Sequence, residues 1–436
     1  MSRATVMRAL AALVLGANAL IRVADAQAPA TAIVHAKLYT MESVQPIEDA
    51  TIVVREGVVL SVGASLEPPA GARIVDASGH IVTPGFMSAG TQLGLLEISS
   101  LPDTRDYALA GGPLGAAFDT QYALNANSTL LPRARGDGLT RAVSFPDGSP
   151  VAPFLGQAVL LRLAPDPADL LERAHVAMFV KVGGAAAASA GGSRSASWIL
   201  LRNALDEAGR YKAPATGVAG PRDQLLGRLD AEALQPVVAG RMPLAIVADR
   251  ESDIRQALRL HDETRLPVIL YGGAEAWRVA DELAARRIPV VLDPTLNLPG
   301  TYDALGARLD NASLLHAAGV RIAISVLAFH RTYNAGGGAR LGAGLAVANG
   351  LPWIEGLRAL TTAPAAIFGM SDHYGSVRQG LDADLVIWNG DPLEPASAPL
   401  QIWVRGVEVE PGDPRERELA RRYSPLRQSE WPPAYR

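Results

Sequence analysis

The side chains able to do chemistry are few and widely spaced. Cysteine is absent, so there is no thiolate nucleophile, no disulfide and no sulfur-ligated metal. The seven histidines are His35, His80, His175, His261, His316, His330 and His373, and no two share an i,i+2 or i,i+4 ligand spacing. Asp249 and Asp293 each close an apolar, strand-like run, the position from which α/β enzymes project catalytic groups. Two such carboxylates could divide general acid and general base work if their surroundings pushed their pKa values apart. Helix capping explains the same residues equally well, since Asp249 lies just before a helical pattern that begins near Glu251.

Three further candidates stand beside them. Lys181, one of only three lysines, ends another apolar run; it is a candidate functional amine or a strand residue whose stem lies along apolar surface. His330 follows the last apolar strand pattern. Gly191-Gly192-Ser193-Arg194-Ser195 could cradle an anion with backbone amides and a guanidinium, or serve as a loop whose serine opens a helix. No G-x-S-x-G elbow is present for serine chemistry.

The elements that must position these groups follow from periodicity. Short strands bounded by Gly, Pro and Asp are predicted over Ala32–Ala36, Thr51–Val54, Gly57–Gly63 and Ala72–Asp76. Their complement is predicted at the far end, over Ala383–Trp388 and Pro399–Val409. The chain between them alternates continuous apolar strands with helical spacing, most clearly over 242–294, which is the pattern of a sheet buried on both faces. The expected organisation is a leader over 1–26, one half of a small composite β-sandwich over 30–83, a barrel domain over 84–370, the other half of the sandwich over 371–410, and a tail over 411–436. The runs Gln157–Arg162 and Val176–Val182 fit either barrel strands or an inserted hairpin.

Arg3 and Arg8, the apolar run Ala9–Ile21 and the A-x-A site Ala24-Asp25-Ala26 together read as a secretory signal peptide, which implies a periplasmic or secreted protein. The run is shorter than the ~20 residues of a membrane span. Loss of that segment moves the formal charge from −4 to −6, because three arginines and one aspartate leave with it. A mildly acidic chain without long basic runs argues against nucleic acid or anionic membrane as a partner.

The stretch Ala72–Phe86, which passes through Thr83-Pro84-Gly85-Phe86, resembles the entry sequence of the amidohydrolase superfamily. Gly350-Leu351-Pro352, Ala359–Ala365, Gly375–Val386 and Gly390-Asp391-Pro392-Leu393 resemble that superfamily's closing motif, nearest to the imidazolonepropionase-like and dipeptidase-like branch. The resemblance implies an α/β fold, a (β/α)8 TIM-type barrel with a small composite β-sandwich built from both chain ends. It also implies zinc or another divalent metal hydrolysing C–N bonds other than ordinary peptide bonds. The residues at the matching ligand positions are Gly90, Gln92, Val247, Gly272 and Leu327, none of which supplies the superfamily's histidine or aspartate. The expectation is therefore a degenerate, metal-free amidohydrolase that acts as a binding protein for a small molecule at the barrel mouth, or as partner of an active homologue or of itself. The alternative is an active hydrolase of amide-like bonds working through a non-standard site.

Overall fold

The computed structural model describes residues 29–149, 151, 153–212, 225–327 and 331–423. The expected leader, His330 and the end of the tail lie outside the described residues. Two sheets organise the chain.

The first sheet takes β1 (Thr31–Leu38), β2 (Ile47–Arg55), β3 (Val58–Ala64), β4 (Arg73–Asp76) and β5 (Ile81–Pro84) from the N-terminal part. It takes β14 (Leu385–Trp388), β15 (Pro399–Val404) and β16 (Val407–Val409) from the other end, in the order β16-β15-β14-β5-β1-β2-β3, with β4 added on β1. The two ends of the chain meet where β14 runs antiparallel to β5, with Leu385 opposite Pro84 and Trp388 opposite Ile81. Alternation along the strands sends Ile33, Ile52, Val82, Leu385 and Trp403 into one apolar cluster.

The second sheet is a nearly closed barrel. Its strands are β6 (Phe86–Thr91), β7 (Leu139–Ser144), β8 (Phe154–Arg162), β9 (Leu171–Lys181), β10 (Leu244–Ala248), β11 (Val268–Gly272), β12 (Val290–Leu292) and β13 (Ile322–Ile324), paired in sequence order. All pairings are parallel except those of β8, which runs antiparallel to both β7 and β9. The barrel thus departs from a strict (β/α)8 alternation at one place. The links from β7 to β8 and from β8 to β9 are too short to carry the crossover helix that a parallel return requires, so β8 and β9 form a hairpin and are also barrel wall.

β13 and β6 do not form a ladder with each other. Along the seam the carbonyls of Leu360 and Ala359 accept the amides of Met87 (2.8 Å) and Ile324 (3.0 Å) respectively. At the upper end the buried hydroxyl of Ser325 donates to the Gly90 carbonyl at 2.7 Å, accepts the Gly90 amide at 3.1 Å and meets the Ser88 hydroxyl at 2.8 Å.

Period-two alternation fills the barrel interior with Val143 and Phe145, Ala177 and Phe179, Ala245, Ile269 and Tyr271, and Val291. Their neighbours, such as Leu244, Ile246 and Leu270, face outward and pack under the helices. The helix Glu251–Thr264 shows how a cover element is specified. Ile254, Ala257 and Leu258 make its buried stripe, Glu251 and Asp253 sit in its first turn, and Arg265 ends it in a left-handed conformation that donates to the His261 carbonyl.

Beneath the barrel, fully buried Arg141 is enclosed by three carboxylates, Glu172, Asp382 and Asp384, two of which come from the closing motif 241 and 243 residues away. No helix among the described residues is long and apolar enough to cross a membrane.

Candidate functional site at the barrel mouth

The alternation that fills the barrel also delivers its polar groups. Continuing each inward-facing series to or beyond the end of its strand brings Val143 and Phe145 to Asp147, Phe179 to Lys181, Ala245 and Val247 to Asp249, and Val291 to Asp293. All four polar residues line one cavity of about 230 Å³ at the barrel mouth, together with Arg331 and Asn297. Three of the sequence candidates, Lys181, Asp249 and Asp293, are therefore brought together.

Each has a distinct environment. Lys181 is not free: its Nζ lies 2.7 Å from Asp147 Oδ1, and Arg331 holds the other oxygen at 2.5 Å. Burial pushes the Asp147 carboxyl up, but Lys181 and Arg331 outweigh it and leave the group below the ordinary carboxylate range. Asp293 accepts the Thr295 amide at 3.0 Å and, through its other oxygen, the Leu327 amide at 2.8 Å, so it caps a short turn and ties β12 to the segment after β13. Asp249 does not cap the helix that follows it. That helix opens without a cap from its own preceding residue, and Glu275 of the next loop accepts the Glu251 amide instead, at 2.9 Å. Asp249 accepts the Ala274 amide at 3.2 Å, and no cation pairs with it among the described residues. Burial, with Asp303 and Glu275 adding to it, pushes its carboxyl above the usual range despite that hydrogen bond.

Below these groups the floor is aromatic. Phe145 stacks on Phe179 at 4.4 Å, and Tyr271 meets the edge of Phe179 at 4.8 Å while donating its hydroxyl to the Ala89 carbonyl at 2.6 Å. Gly90 faces this floor. A β-carbon there would lie 3.1 Å from Phe145, 3.3 Å from Leu327 and 3.3 Å from Tyr271. At Gly272, φ is +91° and a β-carbon would lie 2.5 Å from Asp249 Oδ1. The volume that side chains at these two positions would need is thus taken by two rings, a leucine and a carboxylate. Gln92 is buried, and its Nε2 has no hydrogen-bond partner.

These residues do not fit a divalent metal. A zinc site needs three or more N, O or S ligands converging on one point, and among the described residues no group of three or more His, Cys, Asp or Glu is so placed. Asp147 is already matched by two cations. Three of the six described histidines are engaged far apart: His35 pairs with Asp49 on the first sheet, His261 bonds the Leu266 carbonyl from its helix, and His175 contacts Asp119. The Gly191–Ser195 segment does not present a free guanidinium, because Arg194 is bound by Asp253 at 2.9 Å and also by Asp303. Sequence reasoning missed Asp147, Arg331 and Asn297. The inward series of β7 pointed to the first, whereas the other two reach the cavity from irregular segments that carry no periodic signal.

Comparison with known proteins agrees with this architecture. Residues 275–411 match the model of the amidohydrolase family. A 58-residue segment is 45% identical to amidohydrolase tasK of Hapsidospora irregularis; it spans 13% of this chain and only 6% of that protein. An amidohydrolase structure from Thermotoga maritima MSB8 superposes with a TM-score of 0.77 at 24% identity, covering 87% of this chain and 99% of its own. A prolidase complexed with N-methylphosphonate-L-proline (TM-score 0.53, 16% identity, 88% and 100% covered) and molinate hydrolase (0.53, 14%, 88% and 95%) share the fold at greater distance. The segment 275–411 thus matches the amidohydrolase family, and a solved amidohydrolase shares the fold over most of the chain.

Proposed function

We propose that this protein is a degenerate amidohydrolase, exported by its N-terminal leader, whose barrel mouth binds a small molecule without a metal. In this reading the first sheet, assembled from both chain ends, is the superfamily's composite sandwich. One observation carries it: the side-chain space at Gly90 and Gly272, where the resemblance expects histidines, is filled by Phe145, Tyr271, Leu327 and the Asp249 carboxylate. A loss of ligands alone would leave a hole, whereas here the space is repacked. Ser325, near the position of the expected general base, is engaged with the backbone of β6. Assembly with an active homologue remains within the same reading, because a repacked barrel keeps its outer surface.

Metal analysis of the purified full-length protein after dialysis is the test. Less than about a tenth of an equivalent of zinc, manganese or iron supports the reading, and a stoichiometric metal overturns it.

A second reading has its own observation. Asp249, held above the usual carboxylate range by burial, shares the cavity with Asp293, and two carboxylates in unlike surroundings can divide acid and base work. Hydrolysis of an amide library by the metal-free protein, lost in Asp249→Asn, would favour this reading.

A further inference from the structure

The cavity is electrically lopsided. Toward β7, β9 and Arg331, the Asp147 carboxylate already occupies both nearby cations, so an incoming anion would have to compete with it. Toward β10 and β12, Asp249 and Asp293 bring two more carboxylates, and Asp249 meets one backbone amide and no cation among the described residues. Among the described residues Asp249 is thus the carboxylate of this cavity that a positive group could meet.

Asn297 adds a second, independent observation. It lines the same cavity, is 4% exposed, and its Nδ2 is buried without a hydrogen-bond acceptor. A buried amide donor without an acceptor is costly, and an oxygen from a bound molecule would satisfy it. The residue begins a strap of chain that runs on to Gly306. The strap is tied down by Asp303 on Arg194, by the Gly306 amide on Glu275 at 2.8 Å, and by Trp277, which donates to the Gly306 carbonyl at 2.8 Å between Arg278 and Arg308. The chain that follows Asn297 is therefore held in place. Val247, Leu296, Leu327 and Tyr271 supply apolar wall between the two polar poles.

Building on the reading of a metal-free binding barrel, we propose that the mouth takes a small primary ammonium compound that also carries a carbonyl. The ammonium is received by Asp249, the carbonyl oxygen accepts from Asn297 Nδ2, and the aliphatic body lies on the apolar wall. Asp249 and Asn297 thus set specificity together, the first for charge and the second for the acceptor.

Calorimetric titration of the full-length protein with four probes tests this. L-leucinamide carries both polar groups, 3-methylbutylamine lacks the carbonyl, 4-methylpentanamide lacks the ammonium, and N-acetyl-L-leucine is an anion. L-leucinamide is expected to bind tightest. Loss of the ammonium, or the substitution Asp249→Asn, should weaken binding about tenfold or more, the scale of one charge-assisted hydrogen bond. Asn297→Ala should weaken L-leucinamide and leave 3-methylbutylamine unchanged. Equal or tighter binding of 4-methylpentanamide or N-acetyl-L-leucine overturns the proposal, and so does failure of both amines to bind. Zinc measured on the same sample separates the two levels of failure. A stoichiometric metal removes the underlying reading, whereas a metal-free protein that prefers the anion removes the ammonium assignment alone.

Discussion

Restoring histidines at positions 90 and 272 should damage the protein without giving it a metal. At Gly272 a β-carbon must adopt φ +91°, which costs about 1–2 kcal/mol for a residue other than glycine. It also meets Asp249 Oδ1 at 2.5 Å, so the carboxyl must move and give up the Ala274 amide, for about 1 kcal/mol more. At Gly90 an imidazole is forced among Phe145, Tyr271 and Leu327, which are already 3.1–3.3 Å from where its β-carbon would be; overpacking of this kind costs about 1–3 kcal/mol. The two sites share the Tyr271 neighbourhood, so the sum of about 3–6 kcal/mol is only roughly additive. At about 2 °C per kcal/mol for a chain of this size, Gly90→His/Gly272→His should melt about 6–12 °C below the parent. Calorimetry with and without added zinc reads both quantities. A double variant as stable as the parent, or one stabilised by zinc through stoichiometric binding, would refute the claim that the site has been repacked.

Three further outcomes follow from groups already described. Arg141→Met strands Asp384, which is 1% exposed, among carboxylates, and should destabilise the protein by about 3–5 kcal/mol in urea unfolding. Ser325→Ala removes the partner of the Gly90 amide and of the Ser88 hydroxyl in a buried seam, for about 1–3 kcal/mol by the same assay. Asp249 has a folded-state pKa above its unfolded value, so the native state holds its proton more tightly. That contribution is present in acid and fades as pH rises through the folded pKa. Asp249→Asn, which keeps an oxygen for the Ala274 amide, should therefore equal the parent in stability below about pH 4 and exceed it near neutrality. A variant less stable than the parent at pH 7 would show that the carboxylate is compensated in the native state.

What was legible in the sequence was what repeats. Runs such as Leu244–Ala248 and Val268–Gly272 are apolar at nearly every position because both faces are covered, and that alone made them readable as strands of a doubly buried sheet, with the barrel itself coming from the family resemblance. The direction of β8 was not, since its residues would be equally buried whichever way it ran; only the length of its connections distinguishes a hairpin from a crossover. Asp249, Asp293 and Lys181 were found because each ends a strand. Asp147 ends none, lying three residues past β7, and only the inward parity of Val143 and Phe145 leads to it. Asn297 and Arg331 arrive through irregular backbone, and the Arg141 cluster joins residues more than two hundred positions apart, so neither leaves a periodic trace. Capping was the wrong role for Asp249 because the cap comes from Glu275, across a loop whose course depends on tertiary packing.

The seam between β13 and β6 gives the barrel a direction in which to open. Elsewhere around the wall, parting two strands breaks a row of backbone hydrogen bonds, but here it breaks a few hydroxyl contacts and two carbonyl contacts from Ala359 and Leu360. Local opening follows the least costly boundary, so amide exchange at Gly90 and Ile324 should outpace that at Ile246 and Leu270. The barrel would then loosen like a clasp at one edge before its other pairings yield. Gly90, on the inner floor, would be the first part of the interior to meet water.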